Sequence, residues 1–197
     1  MAAPDQQPIN LIALSAVVTT LLTLLACGIV WYWGHPAGGF FAAGWALASQ
    51  VAVGLALGAA IGLLVALVEP HIRLLEPMRR IIRDVFLQAR PGRLDLLLVS
   101  LGAGWGEELL FRGALQPHIG IWPAALLFAL GHFLLTKITW GLVAYMAVLV
   151  LAGAGLGYLA NWAGLLAAMV CHAVYDFVVL LATHRALRKE AVTTPSA

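Results

Sequence analysis

Charge is what this sequence has least of. Of its 197 residues, 10% are Asp, Glu, Lys or Arg and 62% are hydrophobic, and the mean hydropathy is +0.95. A soluble domain carries about 25% charged residues, so an ordinary globular domain is excluded and a polytopic α-helical membrane protein remains. The ten-residue alternating strands of an outer-membrane barrel are missing as well. No polar stretch is long enough for a second domain, so residues 1–197 read as a single membrane domain. Cysteine is scarce: Cys27 and Cys171 both lie inside apolar runs and imply no disulfide framework. Residues 1–8 contain no basic side chain, unlike the n-region of a secretory signal. Leu24-Leu-Ala-Cys27 has the pattern of a lipoprotein box, but the apolar run continues to Trp33. An uncleaved spanning helix is the better reading.

A spanning helix needs about 20 apolar residues. Residues 9–33 satisfy this and end in an aromatic belt of Trp31, Tyr32 and Trp33; residues 40–68 form a second, Gly- and Ala-rich span suited to close packing. Residues 69–93 then concentrate the arginines. Within them Met78, Ile81, Ile82, Val85 and Phe86 recur at helical spacing, which predicts an amphipathic helix on the membrane surface. Four further spans are expected, at residues 94–115, 121–136, 138–160 and 163–182, followed by a disordered tail over 191–197. The fold class is therefore all-α, a bundle of about six transmembrane helices plus one surface helix. With the arginine-rich segment in the cytoplasm, Lys137 and the Arg185–Lys189 cluster fall on the same side. The turns at residues 34–39, 116–120 and 161–162 carry no Lys or Arg. The positive-inside rule thus predicts both termini cytoplasmic.

A charged side chain at the bilayer centre costs about 2.5–3.5 kcal/mol on the insertion scale. Yet Glu107, Glu108 and Arg112 interrupt the third span, His132 sits in the fourth, and His172 and Asp176 in the sixth. Glu108 and Arg112 are four apart and share a helix face; so are His172 and Asp176. Glu107 lies about 100° round the helix from Glu108 and must find partners on other helices, predicted to be His132 and His172. One glutamate and two histidines can activate water, the carboxylate taking a proton while an imidazole positions the water or stabilises an oxyanion. The same atoms could ligate Zn²⁺ as a His₂Glu set. Residue types alone leave both open. Cys171 adjoins His172, but neighbours on a helix point apart, which argues against a Cys–His nucleophile pair.

Glu107-Glu108-x-x-x-Arg112, Phe128-x-x-x-His132 and His172-x-x-x-Asp176 together resemble the three-motif signature of the CPBP family, the CAAX-protease and bacteriocin-processing (Abi) intramembrane endopeptidases. The resemblance covers about residues 95–182, within a catalytic core expected at 94–184. It implies that Glu107 and His132 activate the attacking water and that His172 lies on the oxyanion side with the residue four later. Glu108, Arg112 and Phe128 would support the site. In prenyl-protein members the last position is asparagine, an amide donor; here it is Asp176, which donates only if protonated and otherwise holds His172. The resemblance favours metal-free glutamate chemistry with no cofactor, with a zinc-dependent version as the alternative.

The implied partners are a membrane-anchored protein or peptide substrate and the lipid bilayer, with no nucleic acid. Candidate substrates are C-terminal sorting signals, as in the myxosortase group, or leader peptides, and the expected location is a bacterial inner membrane. A proton-coupled transporter would use the same buried groups, but the chain is short and lacks an internal repeat. An immunity or scaffold protein with a relic site is the third class. One tension stands: Glu107 lies about 13 residues from the cytoplasmic end of its span and His132 about five from its own, roughly 20 Å against 8 Å. For the two to meet, a helix must tilt or a boundary must shift.

Overall fold

The computed structural model describes residues 10–34, 40–41, 43–72, 76–132 and 140–193. The described residues are almost entirely helical: α1 (Leu11–Tyr32), α2 (Leu47–Val68), α3 (Glu76–Ala89), α4 (Arg93–Glu108), a π-helical segment (Leu109–Leu115), α5 (Gln116–Ile119), α6 (Ile121–Gly131), α7 (Trp140–Trp162) and α8 (Leu165–Thr193). Among the described residues four helical stretches are long and apolar enough to cross a membrane: Leu11–Tyr32, Leu47–His71, Leu142–Trp162 and Leu165–Lys189. The protein is a polytopic helical membrane bundle. On α1, Leu14, Val17, Leu21 and Leu24 are exposed, a face that only lipid would cover favourably.

Close helix packing comes from small residues. Gly54, Gly58 and Gly62 form one stripe of α2 against α8; a Cβ at Gly58 would lie 2.6 Å from the Cys171 carbonyl oxygen. Gly104 of α4 approaches α8 in the same way, its Cβ position 2.7 Å from the Met169 carbonyl. Helix α8 is thus wedged between α2 and α4, with α7 beside it and α6 packed on α7. That arrangement gathers the third, fourth and sixth expected spans around one point.

Several boundaries differ from the sequence expectation. The second span begins at Leu47 rather than 40, because the chain before it is tied to the α7–α8 turn by the Trp45 N–H donating to the Ala163 carbonyl at 2.8 Å. That turn lies at Ala163–Gly164, not at residues 161–162, and Gly164 adopts φ +124°. Helix α8 continues to Thr193, so residues 191–193 are helical where a tail was expected. Lys137 and residues 35–39 and 194–197 lie outside the described residues.

The most consequential difference is in the fourth span. Helix α6 has 11 residues, about 16 Å of rise, half of a hydrocarbon core of about 30 Å. It starts directly after α5 at Gly120, whose φ of +86° and ψ of 169° suit only glycine. Helix α4, the π segment and α5 run without a break from Arg93 to Ile119. Glu107 is 13 residues before this turn and His132 is 12 after it, so the two stand at matching depth. The expected tension came from counting back from residue 136 along a span longer than the 11-residue α6.

Candidate active site

Glu107 and Glu108 close α4, immediately before the helix widens into the π segment. Such segments are rare and recur at functional sites. Glu108 is fully buried. Its Oε1 accepts from Arg112 Nη1 at 3.0 Å and also pairs with His172 Nδ1 at 2.7 Å. Arg112 donates through Nη2 to the Gly153 carbonyl of α7 at 2.9 Å, and its guanidinium lies 4.5 Å from the Phe128 ring centroid. That contact is a cation–π cover over a desolvated charge. A Cβ at position 153 would fall 3.1 Å from Arg112 Nη2 and 3.2 Å from the Phe128 ring, so glycine there lets the arginine reach backbone.

His172 is held on both ring nitrogens. Nδ1 donates to Glu108, and Nε2 faces Asp176 Oδ2 at 3.4 Å. The Tyr175 ring stacks on it with centroids 5.7 Å apart. With both nitrogens turned towards carboxylates, His172 has no free N–H for an oxyanion in this arrangement; that role, implied by the resemblance, would require Nε2 to leave Asp176. Asp176 lies beside His172, one helical turn on, and is partly exposed.

Glu107 points elsewhere. Its Oε2 lies 3.8 Å from His132 Nε2, too long for a hydrogen bond, and has no other hydrogen-bonding partner among the described residues. His132 caps the C-terminus of α6, and its Nδ1 donates to the Phe128 carbonyl at 2.9 Å, satisfying one of the orphan carbonyls of a helix end. That bond fixes the tautomer of the neutral ring: Nδ1 carries the hydrogen and Nε2 presents a lone pair to Glu107. Two acceptors therefore face each other, and a donor between them would satisfy both. The Glu107 and His132 side chains are 19% and 36% exposed, against 0%, 1% and 4% for Glu108, Arg112 and His172. The site has a reachable half and a sealed half.

Phe128 joins the halves, its ring centroid 4.8 Å from His132, 6.0 Å from His172 and 5.4 Å from Phe111. All the residues singled out from sequence, Glu107, Glu108, Arg112, Phe128, His132, His172 and Asp176, fall in this one cluster. Two further contributors were not anticipated. Gly153 left a faint trace in the small-residue run Ala152-Gly-Ala-Gly155. Tyr175 left none, since an aromatic in an apolar span is ordinary.

Among the described residues, both His172 nitrogens face carboxylates, while Glu107 Oε2 and Glu108 Oε2 are buried acceptors with no hydrogen-bond partner. Among the same residues no group of three or more His, Cys, Asp or Glu is arranged to hold a metal.

Residues 90–178 match the family model described as type II CAAX prenyl endopeptidase, Rce1-like. Over these residues the chain is similar to the Rce1-like family. All three motif segments lie inside the match, and α1 and α2 lie outside it. The Rce1-like family is a protease family within the CPBP group. The chain is also similar to the uncharacterized protein YpbD of Bacillus subtilis (strain 168), 38% identical over 85 residues. That alignment spans 42% of this chain and 42% of the relative's length. No solved structure matches the chain significantly.

Proposed function

We propose that the Rce1-like core is an intramembrane endopeptidase in which Glu107 and His132 activate water against a peptide bond of a membrane-anchored protein or peptide. The observation that carries this reading is the facing pair itself: a buried carboxylate oxygen without a hydrogen-bond partner and an imidazole nitrogen 3.8 Å from it, on the two least buried side chains that α4 and α6 bring to the polar cluster. A water donating one hydrogen to each acceptor spans about 4.5 Å with ordinary bond lengths. The pair therefore parts by a few tenths of an ångström to admit it. Catalytic hydrogen bonds commonly adjust in this way between free and substrate-bound enzyme.

In the reaction, the water oxygen attacks the scissile carbonyl carbon as its proton passes to the Glu107 carboxylate, and a C–O bond forms. Glu107 then returns that proton to the amide nitrogen as the C–N bond breaks, releasing an amine and a carboxylic acid, whose remaining proton passes to the amine to leave carboxylate and ammonium. His132 orients the water through Nε2. Glu108, Arg112 and His172 touch neither water nor substrate; they fix α4, α7 and α8 so that Glu107 faces α6. Asp176, partly exposed, faces His172 Nε2 at 3.4 Å and holds that ring in place. The chemistry is metal-free in this reading. The substrates we favour are C-terminal sorting signals or leader peptides, met in a bacterial inner membrane with both termini of the enzyme cytoplasmic.

The test is a library of membrane-anchored peptides incubated with the full chain in lipid nanodiscs, with and without a chelator. Glu107→Gln is expected to lower kcat by about 10²–10⁴-fold, the usual scale for a general base, and the chelator to change nothing. Cleavage by the variant at the wild-type rate would overturn the mechanism. Loss on chelation, restored by Zn²⁺, would replace it with the zinc version.

A further inference from the structure

A second feature lies on the other side of α8. Helices α2, α3, α7 and α8 line a groove of about 870 Å³, open on the side where Leu57, Ile61 and Leu151 are exposed, which neither Glu107 nor His132 lines. Its walls are apolar, with Leu57 and Ile61 from α2, Leu156 and Leu159 from α7, and Val179 and Ala182 from α8. At one end the lining changes to Glu69, Glu76, Arg79, Arg80 and Arg83. On α8 the lining residues Ala186 and Leu187 sit among Arg185, Arg188 and Lys189, which are exposed.

The shape limits the occupant. Lining positions run from Tyr145 to Leu159 on α7 and from Cys171 to Leu187 on α8, about 20 Å along each helix axis at 1.5 Å per residue. An extended peptide would bring unpaired backbone N–H and C=O groups against hydrocarbon walls. A hydrocarbon chain carries no such groups, and 20 Å is close to the depth of one leaflet, half of a core of about 30 Å. A helical anchor would also present only apolar side chains, and the charges at the rim decide between the two.

The charges identify the end at which a headgroup sits. Arg79 is already held by Glu69 and Glu76, and Arg80 shares Glu76 while its side chain stays 74% exposed. With Arg83 and the α8 cluster, the rim is net basic, and basic groups at this level attract anionic lipid headgroups by about 1 kcal/mol each, or about fivefold in affinity.

We propose that this slot holds an acyl chain of an anionic phospholipid drawn from the leaflet that contacts α3, with the headgroup at Arg80, Arg83, Arg185 and Arg188. The lipid bears on the site described above without entering it: Tyr175 lines the groove and stacks on His172, and Leu149 lines it and packs on Phe128.

The experiment measures lipid binding first, a readout that does not depend on proteolytic activity. The full chain is purified in mild detergent, delipidated, and titrated with dioleoyl phosphatidylglycerol, dioleoyl phosphatidylcholine and glycerol phosphate, with retained lipid counted by native mass spectrometry. Wild type is expected to retain one phosphatidylglycerol, at least about fivefold more tightly than phosphatidylcholine, and not to bind glycerol phosphate. Gly155 lines the groove and a Cβ there meets nothing within 4 Å, so Gly155→Leu fills the slot without striking protein and should abolish retention of both lipids. Arg80→Gln with Arg83→Gln leaves the slot open and should bring phosphatidylglycerol down to the phosphatidylcholine level. Equal affinity for the two lipids in wild type would overturn the proposal. So would full retention by Gly155→Leu, or glycerol phosphate competing as well as the whole lipid. A Gly155→Leu variant that keeps its lipid but shows a raised KM for peptide would assign the slot to substrate instead.

Discussion

Glu107 and Glu108 are neighbours in sequence and opposites in environment. Glu108 is sealed, with a guanidinium and an imidazole on one oxygen; Glu107 is partly open and faces a lone pair. A helix turns about 100° per residue, and that one step separates a carboxylate committed to holding three helices together from one left short of a proton donor. A buried charge with its partners in place contributes to a unique arrangement, and losing one partner is costly. A buried carboxylate oxygen held beside an imidazole nitrogen is poised to take a proton. The same residue type therefore does opposite work because of which neighbours α6 and α8 bring to it.

The sharpest way to break this contrast is to neutralise each glutamate alone. Glu107→Gln keeps shape and removes the base, so kcat falls by about 10²–10⁴-fold while the thermal unfolding midpoint in nanodiscs stays put. Glu108→Gln should do the reverse: the unfolding midpoint drops, and the loss of cleavage follows the loss of folded protein. If the two variants exchange these profiles, the assignment of open base and sealed brace is wrong.

The brace can be attacked from its cationic side. Arg112→Met removes the partner of a fully buried carboxylate, and breaking such a pair costs about 3–5 kcal/mol. The double change Glu108→Gln with Arg112→Met leaves no orphaned charge and should recover a large part of that loss. Unfolding curves of the two variants, measured side by side, decide it; a double variant less stable than Arg112→Met would show that the charge itself is needed.

Much of this site was legible before any coordinates. The expense of charge in lipid marked the six ionisable side chains that the fold brings together, Phe128 came with the family resemblance, and helical spacing paired Glu108 with Arg112. What spacing could not give was rotation between helices. Glu108 has a second partner in His172, set by how α4 packs on α8 through Gly104, and no local pattern in α4 encodes that. Depth was misread for a different reason. Apolar composition continues past Gly131 through Phe133, Leu134 and Leu135, so hydropathy could not register the end of α6, and Gly120 was the turn from which to count. The π segment was equally hidden, because Leu109–Leu115 has the composition of an ordinary helix.

A smaller effect is expected where the packing is tight but uncharged. Gly58→Ala puts a methyl 2.6 Å from the Cys171 carbonyl and 2.9 Å from Val174 Cβ. Overpacking of this kind costs about 1–3 kcal/mol. Because Cys171 adjoins His172, the displaced backbone disturbs the sealed half first, so the midpoint should drop before catalysis by the remaining folded enzyme changes. Gly28→Ala, where a Cβ meets nothing within 4 Å, is the matched control and should leave the midpoint unchanged or raise it. Equal destabilisation by both would mean that helix contact at Gly58 is not what limits the substitution.

The smallest effect belongs to a pair that copies the sealed one in spacing alone. Glu76 and Arg80 are also four apart on a helix, at 3.2 Å, but their side chains are 44% and 74% exposed. Water screens an ion pair there, and ordering two long side chains offsets much of the attraction. Arg79 and Arg80 both donate to Glu76 and hold its carboxyl below the ordinary carboxylate range. A depressed folded value means that the contribution is present above the unfolded pKa and is lost as pH falls through the lower, folded one. At neutral pH, then, Arg80→Gln should leave the unfolding midpoint where it is, since Arg79 keeps Glu76 engaged through two bonds. Set beside Arg112→Met, the same Glu–Arg spacing should give almost nothing on α3 and a large loss at the α4 end. If Arg80→Gln destabilises as much as Arg112→Met, burial is not what separates the two pairs, and the division of the site into open and sealed halves loses its physical basis.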